Sequence, residues 1–436
     1  MIITPVATSS AEGKKILGQL ADRFQLADTQ CRQGVTEIIA DIRQRGDEAL
    51  IEYIRKFDAP TITADKLRVS EEELHEALTL VDEEFLDTLE LAIERIYAFH
   101  EHEKEQSWMV TREDGTITGR LVNPVDSAGL YVPGGQGGKT PLVSSVLMNG
   151  IPAAIAGVEE RIMVTPPDEN GKINPALLVA AQEIGITEIY KAGSAWAIAA
   201  LAYGTETIPK VDVIVGPGNQ YVTEAKRQVS GRVRIDMIAG PSEVLIIADQ
   251  TGVPAYIAAD MLAQAEHDPQ ALAMCITTDQ AMAEQIVIEL DKQLLELSRA
   301  EIAERSLRER GVILVAEDLE EAIWHANKIA AEHLELMIDN PFEWLTRIRH
   351  AGAIFLGRHT PESAGDYLAG PNHVLPTMGT ARFSSALGVE TFIKKSSLIA
   401  YSQEALIADS HHIQKLANLE GLTAHARSAA IRTTKK

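Results

Sequence analysis

Apolar residues recur at helical spacing through most of the first hundred positions of the chain. Spacings of three and four predict a short helix over Ser10–Leu26, one long amphipathic helix over Arg32–Phe57 and further helices over Glu71–His102. The last group is expected to bury a face made of Leu74, Leu78, Leu80, Phe85, Leu89, Ile93 and Ile96. The polar stretch Lys104–Val122 follows, and its Asp114–Gly115 pair predicts a hairpin turn.

The pattern changes at Ser127, where short apolar runs begin to alternate with helical segments. After a first strand that enters a glycine-rich loop within residues 128–139, the predicted strands are Arg161–Pro166, Glu188–Ala192, Val211–Val215, Val244–Ala248, Ala271–Thr277, Gly311–Ala316, Leu334–Ile338 and Ala353–Leu356. The helices between them are Pro175–Ile184, Ala195–Tyr203, Gln220–Val229, Ala255–Gln264, Gln280–Leu297 and Glu320–Ala330. Such alternation predicts an α/β fold with parallel sheets covered by helices.

The two alternating blocks predict two Rossmann-like domains, because 436 residues exceed what one hydrophobic core usually serves. We divide the chain into an N-terminal helical segment over 1–29, a discontinuous domain over 30–130 and 243–385, a domain over 131–242 inserted into it, and a helical C-terminal tail over 386–436. From about Ser385 onward the pattern is helical again.

Composition narrows the classes of function. Hydrophobic residues make up 45% and charged residues 24%, as in ordinary globular proteins, and the net charge of -23 disfavours nucleic acid and anionic membranes as partners. Only Cys31 and Cys275 are present, which excludes a disulfide framework and fits a reducing cytoplasm. The N-terminus lacks a signal-peptide pattern, and the longest apolar run, Ile151–Val158, is too short to span a membrane.

Two pairs of residues could carry acid–base or metal chemistry. Gln264 and His267 are three apart at the end of a predicted helix, so they share one face and could hold a metal or a polar substrate. The alternative is a histidine that only caps the last carbonyls of its helix. Glu332 and His333 join a helix end to a strand and could serve as a paired acid and base. Their alternative is a surface glutamate beside a histidine at a helix C-terminus.

Glycine- and proline-containing turns mark further candidates. Gly216–Asn219 lies between a strand and a helix, where backbone N–H groups can approach a phosphate, although a purely structural turn would look similar. Ser242 enters a strand after another such turn and could contact a ligand or simply satisfy the turn.

Polar loops toward the C-terminus add the last candidates. Asp366 and His373 follow strand Ala353–Leu356, at the carboxyl end of a strand where open α/β folds keep their sites. Glu420 and His425 lie near the C-terminus. The pair His411–His412 is expected at the surface, because adjacent residues face apart on a helix.

Taken together and in order, these stretches resemble the histidinol dehydrogenase family from about Arg32 to Arg432. The motifs that carry the resemblance are Gly129–Gly135, Val215–Asn219, Ala239–Leu245, Gln264–His267, Glu332–Leu334, Pro361–Tyr367, Asn372–Thr377 and Leu422–His425. Each motif alone is a weak signal, but eight of them in register are a strong one.

The resemblance implies roles for individual residues. One Zn²⁺ would be held by Gln264, His267, Asp366 and His425. Glu332 and His333 would be the acid–base pair, and Ser242, His373 and Glu420 would contact substrate together with the metal ligands. Tyr131 and Asn219 match positions that contact NAD, and Trp196 stands where the family often has a glutamine with that role. The loop Gly134–Pro141 also looks longer than usual.

The resemblance further implies the reaction and the assembly. The expected activity is the oxidation of L-histidinol to L-histidine through L-histidinal with two NAD⁺, the last step of histidine biosynthesis. The discontinuous domain would carry most metal and acid–base residues, the inserted domain would face the cofactor, and the tail would cross to the partner of a homodimer with shared active sites. Two alternatives stay open: a related zinc- and NAD-dependent dehydrogenase of another small polar alcohol, and a non-enzymatic protein that binds a nucleotide or metabolite.

Overall fold

The computed structural model describes residues 2–24, 28–134 and 140–433. The chain forms two compact units: a larger one from residues 1–103 and 126–392, and a smaller one from residues 104–125 and 393–436. The larger unit holds two parallel sheets with their helices, and the smaller unit holds an antiparallel sheet and two helices. In the part of the chain that is described, no helix has the length and apolar character that crossing a membrane requires.

The helices at the N-terminal end of the larger unit are α1 (Ala11–Ala21), α2 (Thr29–Arg45), α3 (Asp47–Phe57), α4 (Glu71–Thr79) and α5 (Glu83–Glu101). The prediction of one helix over Arg32–Phe57 is therefore wrong, because α2 ends at Gly46. Gly46 adopts φ 56°, and a Cβ there would lie 2.3 Å from a carboxylate oxygen of Glu206, so only glycine fits the break.

Most of the face predicted for α4 and α5 is buried or half-buried, but two of its leucines are not. Leu78 and Leu80 are 41% and 60% exposed. Helix α4 ends at Thr79, so Leu80 has already left the helical face that buries Leu74. The three- and four-residue spacing predicts burial only as far as the helix continues.

The first parallel sheet, here called the five-stranded sheet, has the order β6-β5-β4-β7-β8. Its strands are β4 (Ser127–Tyr131), β5 (Glu160–Thr165), β6 (Glu188–Lys191), β7 (Val213–Val215) and β8 (Arg234–Ile235), and its helices are α6 (Val143–Ala156), α7 (Pro175–Glu183), α8 (Ser194–Tyr203) and α9 (Gln220–Val229). Counted from its own first strand the order is 3-2-1-4-5, which is the Rossmann order, and it reverses between β4 and β7.

The second parallel sheet, here called the six-stranded sheet, repeats that order. Its strands are β1 (Val6–Ala7), β9 (Glu243–Ala248), β10 (Leu272–Thr277), β11 (Val312–Val315), β12 (His333–Met337) and β13 (Ala353–Leu356), and its helices are α10 (Pro254–Ala265), α11 (Gln280–Gln293), α12 (Ala300–Arg310), α13 (Leu319–Ile329) and α14 (Glu362–Tyr367). The order β11-β10-β9-β12-β13 is again 3-2-1-4-5, with β1 added beside β11. The two predicted Rossmann-like sheets are confirmed, while β1, β8, α12 and α14 were not predicted.

The smaller unit combines two segments that the sequence analysis assigned to different parts of the chain. Its strands are β2 (Trp108–Thr111), β3 (Ile117–Pro124) and β14 (Ile393–Ala400), followed by α15 (Gln403–Leu419) and α16 (Thr423–Ala430). The hairpin turn at Asp114–Gly115 is confirmed between β2 and β3. The prediction of a wholly helical tail is wrong over β14, because this segment pairs antiparallel with β3 along its whole length, and pairing with a strand so distant in sequence leaves no periodic helical signal to read.

Candidate active site

A cluster of polar side chains is buried at the amino-terminal edge of the six-stranded sheet. Glu243 is the first residue of β9 and His333 the first of the neighbouring β12, and His333 is paired in register with Val244. Glu332 directly precedes β12, and Gln264 lies in the last turn of α10. All four of these polar residues are buried. The sequence argument placed Asp366 and His373 at the carboxyl end of strand Ala353–Leu356, whereas Asp366 lies 3.7 Å from His333 at the start of β12, so that expectation is wrong for this sheet.

The peptide groups of Glu243 hold the acid–base pair in place. The Glu243 N–H donates to Glu332 Oε2 at 2.8 Å, and the Glu243 carbonyl oxygen accepts from His333 Nδ1 at 3.0 Å. The amide nitrogen of Gln264 must also face this carbonyl, at 3.3 Å, and Glu362 Oε1, at 3.0 Å, because both neighbours are acceptors. One residue of β9 therefore orients three side chains from two other elements.

These contacts determine how His333 can act. A carbonyl oxygen only accepts, so Nδ1 of His333 carries a proton. Its other nitrogen, Nε2, is buried without a hydrogen-bond partner among the described residues and lies 3.7 Å from Asp366 Oδ1. In the neutral ring Nε2 is the basic atom, and it is oriented by a hydrogen bond on the opposite side of the ring.

Helix α14 brings two carboxylates to this cluster. Glu362 and Asp366 are four residues apart and lie on one helix face, which packs over β13 through Gly365 and Phe355. The ligand atoms of Glu362, Asp366 and His267 all lie within 4.8 Å of one another. Sequence reasoning missed Glu362, although its spacing from Asp366 was a readable signal of two acids on one face.

Three carboxyl groups, those of Glu332, Glu362 and Asp366, surround the imidazole of His333. Burial raises the pKa of Glu332 and of Glu362 to about 8 each. For His333, burial lowers the pKa, but the carboxylates of Glu362, Glu332 and Asp366 outweigh it and raise the pKa well above the usual value. Among the described residues, the cation that acts on the Glu332 and Glu362 carboxyls is the imidazole of His333, so a divalent cation bound beside them would stabilise their charged forms.

The segment after α14 closes the cluster on another side. His373 Nδ1 contacts the Asp366 carbonyl oxygen at 3.0 Å, and burial lowers the pKa of His373. Thr377, four residues later, accepts from the Gly240 N–H through Oγ1 at 2.6 Å. The half-buried Ser242 lies between Gly240 and Glu243. The predicted substrate residues Ser242 and His373 are thus both beside the acid–base pair.

The remaining predicted residues of this site belong to the smaller unit. Glu420 terminates α15, and His425 lies in α16. Both side chains are exposed on that unit. His411 and His412 are also exposed, as expected, with ring centroids 3.6 Å apart.

Predicted cofactor residues lie at the carboxyl edge of the five-stranded sheet, where its strand order reverses. Tyr131 ends β4, and its hydroxyl accepts from the Ser194 N–H at 3.2 Å at the start of α8. Gly216 follows β7 with φ 115°, and a Cβ there would lie 2.1 Å from the Tyr131 carbonyl oxygen, so the close approach requires glycine. Asn219 caps α9 by accepting from the Tyr221 and Val222 N–H groups, which leaves its amide nitrogen for other contacts.

Trp196 is enclosed by aromatic side chains. Its indole stacks between Tyr53, at 5.7 Å and 9°, and Phe57, at 5.3 Å and 16°. The side chain is 6% exposed, so both faces of the ring are already covered by protein. The loop Gly134–Pro141, predicted to be long, falls largely at 135–139, outside the described residues.

Two doubly wound sheets with a buried imidazole–carboxylate cluster define the class as an α/β enzyme equipped for proton transfer. The family follows from comparison with known proteins. The family model for histidinol dehydrogenase matches residues 21–433, and the chain belongs to this family of oxidoreductases.

Relatives and a solved structure agree with that assignment. The histidinol dehydrogenase of Desulfotalea psychrophila is 68% identical over 432 residues, covering 99% of this chain and 100% of the relative. That of Nitratidesulfovibrio vulgaris is 52% identical over 428 residues, covering 98% of each. The crystal structure of histidinol dehydrogenase from Elizabethkingia anophelis is 40% identical with a TM-score of 0.90, covering 96% of this chain and 95% of that one.

Proposed function

We propose that this protein oxidises L-histidinol through L-histidinal to L-histidine, reducing two NAD⁺, as the last step of histidine biosynthesis in the cytoplasm. The observation that supports this most is that the backbone N–H and carbonyl oxygen of Glu243 hydrogen-bond to the side chains of Glu332 and His333. A four-electron oxidation of an alcohol needs a base for the hydroxyl proton and a second base for water. The adjacent residues Glu332 and His333 would supply these two bases.

His333 is the base of the alcohol step. Its Nδ1–H bond to the Glu243 carbonyl leaves Nε2 of the neutral ring to accept the hydroxyl proton of the substrate. The surrounding carboxylates raise the pKa of His333, and a divalent cation bound among them would offset that effect and keep the ring neutral before the proton transfer. As the O–H bond breaks, its electron pair forms the carbonyl of the aldehyde, and hydride leaves the same carbon for the nicotinamide. Burial of the His333 ring excludes water from this step.

Glu332 is the base of the aldehyde step. The aldehyde has no hydroxyl, so water must add to its carbonyl before a second hydride can leave. Glu332 Oε2 is held by the Glu243 N–H, and burial raises the pKa of this carboxyl to about 8, close to the pH at which it must accept a proton. Loss of the second hydride from the hydrated aldehyde then gives the carboxylate of histidine.

The donor set fits one Zn²⁺. Gln264, His267 and Asp366 of this chain and His425 of the partner subunit would hold it, and the close approach of His267 and Asp366 supports the fit. A divalent cation at the same place would stabilise the ionised forms of Glu332 and Glu362, whose pKa burial raises to about 8. When bound, zinc would act as a Lewis acid that orients the polar groups of the substrate without changing its own redox state. Ser242, His373 and Glu420 would contact the substrate.

The NAD site is proposed at the carboxyl edge of the five-stranded sheet. Tyr131 and Asn219 flank the turn where its strand order reverses, which is where doubly wound sheets bind nucleotides. Trp196 would border the cofactor, but its stacked ring offers an edge and not a face. The nicotinamide supplies the redox chemistry, and the protein supplies position and charge.

The direct test is an assay of the purified protein with L-histidinol and NAD⁺. We expect two NADH for each histidine formed, with L-histidinal accepted as a substrate for the second half. Simple diols and sulfonated alcohols serve as comparison substrates for a related dehydrogenase. Formation of one NADH with release of the aldehyde, or a preference for another alcohol, would refute the assignment.

We further propose a homodimer in which Glu420 and His425 complete the site of the other subunit. If so, His267→Ala and His425→Ala are each inactive alone, but a mixed dimer carries one site with both changes and one with neither. Random exchange of equal amounts should therefore restore about a quarter of wild-type activity, under two-fold symmetry. The variants would be unfolded together, refolded and assayed, with mixed dimers confirmed by mass spectrometry. A mixture of confirmed dimers without activity would mean that each site lies within one chain.

A further inference from the structure

Arg23 is a buried arginine in the segment that follows α1, far in sequence from the acid–base pair. It is 9% exposed, and its guanidinium makes four hydrogen bonds. Nε and Nη2 donate to the two carboxylate oxygens of Glu243 at 2.6 and 2.5 Å, and Nη1 donates to the carbonyl oxygens of Leu20 and Ile329, each at 2.6 Å. Four of the five N–H donors of the guanidinium are therefore used, two on the carboxylate and two on backbone carbonyls.

Two hydrogen-bond partners of Arg23 are residues that determine the position of the acid–base pair. Glu243 is the residue whose peptide groups hold Glu332 and His333. Ile329 is the last residue of α13, and the chain then passes through Ala330, at φ 50°, before reaching Glu332. A left-handed alanine costs conformational energy and persists only where its surroundings fix it. One guanidinium thus fixes the start of β9 and the turn that leads into β12.

We propose that Arg23 is a positioning residue for the oxidation: by holding the Glu243 carboxylate and the Ile329 carbonyl, it keeps Glu332 and His333 at their working distances. This inference rests on the proposed roles of Glu332 and His333. It assigns the N-terminal segment a part in the reaction, although Arg23 itself touches neither substrate nor cofactor.

The chemistry of the contact makes lysine a poor replacement. A lysine ammonium can neutralise Glu243, but it cannot place two parallel donors on the carboxylate and a third on Ile329. The space beside Arg23 is also closed, since a Cβ at Gly379 would already lie 3.4 Å from Nη1. Arg23→Lys therefore keeps the positive charge but removes the simultaneous hydrogen bonds to Glu243 and Ile329. The variant thus separates the effect of charge from the effect of positioning.

The first experiment compares Arg23→Lys with a matched control. Arg161 also donates to two carbonyl oxygens at a helix end, those of Ile184 and Gly185 at 2.9 and 3.1 Å, but at the five-stranded sheet. We expect Arg23→Lys to lower kcat for histidinol oxidation about 10- to 100-fold, as expected for catalytic groups displaced by up to an ångström. The KM for histidinol and the zinc content should change less than about twofold, because uniform binding is retained. Arg161→Lys should leave kcat unchanged.

A crystal structure of Arg23→Lys gives a readout that does not depend on the substrate. We expect the contact between His333 Nδ1 and the Glu243 carbonyl to lengthen beyond hydrogen-bond distance from its 3.0 Å. If the wild-type protein does not oxidise histidinol, the proposed function fails, and this structure still decides whether Arg23 sets the pair. An unchanged contact would refute the inference whatever the substrate is.

The second experiment separates positioning from stability with the double variant Arg23→Met/Glu243→Met. Replacing a buried ion pair by apolar side chains of similar volume is often neutral or stabilising. We therefore expect an unfolding midpoint close to wild type but a kcat that stays at least about tenfold low, since the Ile329 contact is still missing. If kcat recovers together with stability in the double variant, the Arg23–Glu243 pair is purely structural. A loss of kcat in Arg161→Lys equal to that in Arg23→Lys would lead to the same conclusion.

Discussion

The six-stranded and five-stranded sheets share one strand order but use opposite edges. In the six-stranded sheet the polar cluster lies at the amino-terminal edge, where Glu243 and His333 begin their strands. In the five-stranded sheet the candidate cofactor residues lie at the carboxyl edge, around Tyr131 and Gly216. The same strand order therefore accompanies polar residues at opposite edges of the two sheets, and the side chains at each edge decide its chemistry.

The two edges also differ in how they treat charge. The six-stranded edge buries several carboxylates around one imidazole, so its groups are strongly shifted from their usual pKa values. The five-stranded edge is built from backbone turns and stacked rings, and Asp58 is the acid beside that stack. Burial raises the pKa of Asp58 to about 7, against a smaller lowering by the indole N–H of Trp196. The edge of the six-stranded sheet is suited to bind a cation and to transfer protons. The edge of the five-stranded sheet is suited to bind a flat ligand in a largely preformed site.

Metal removal should produce the largest difference between the two edges. Stripping the protein with a chelator should abolish turnover, and Zn²⁺ should restore it, because three of the four proposed ligands, Gln264, His267 and Asp366, belong to the six-stranded edge and none belongs to the five-stranded edge. Metal analysis would follow the loss, and Asp366→Asn should lower zinc content whereas Trp196→Gln should not. Full activity in protein verified to be free of metal would contradict the proposed zinc site at the six-stranded edge.

The acid–base pair should give the next largest effect, divided between the half-reactions. His333→Asn should slow the first hydride transfer by about 10²–10⁴-fold, the usual range for general acid–base catalysis. Glu332→Gln should slow the conversion of aldehyde to acid more than the oxidation of the alcohol, since only the aldehyde step needs water. Rapid-mixing measurements from histidinol and from histidinal would separate the steps. Equal losses in both steps for both variants would contradict the division of roles.

Asp58 should make the five-stranded edge sensitive to pH in stability. A carboxyl whose pKa rises from about 3.9 when unfolded to about 7 when folded contributes most below the unfolded value, and that contribution is lost as pH rises toward 7. The free energy of unfolding of Asp58→Asn, relative to that of wild type, should therefore rise by about 1–2 kcal/mol from pH 5 to pH 8. This figure takes about 1.4 kcal/mol per pKa unit and discounts for relaxation. Denaturant unfolding at the two pH values measures this. Glu90→Gln, which removes an exposed charge, is the control and should gain nothing.

Trp196 should give the smallest effect. Trp196→Gln restores the amide that the family often has, so the KM for NAD⁺ should change by about two- to tenfold, the size of one net hydrogen bond. Trp196→Phe keeps an aromatic ring between Tyr53 and Phe57 and is the control for packing. Steady-state kinetics with zinc analysis would test both. Equal changes in KM for both variants would mean that Trp196 acts only through packing.

Several features of the site could be read from sequence because their signal is local. Gln264 and His267 were found by their spacing on a helix, and Glu332–His333 by their place between a helix and a strand. Glu362 was missed because residues 361–373 were interpreted as a loop, so its four-residue spacing from Asp366 was not taken as one face of a helix. Arg23 was missed because its partners, Glu243 and Ile329, lie 220 and 306 residues away.

The sequence by itself determined the α/β class, nearly every strand and helix of the two sheets, and the family, since periodicity and motif order are local properties of a chain. Tertiary structure decided what depends on distant pairing: β14 as a strand against β3, the break at Gly46, and the edge at which the acid–base pair lies. It also decided the protonation of the candidate acid–base groups. The proton on His333 Nδ1 and the raised pKa of Glu332 arise from Glu243 and from burial, and neither is encoded in the residues that flank them.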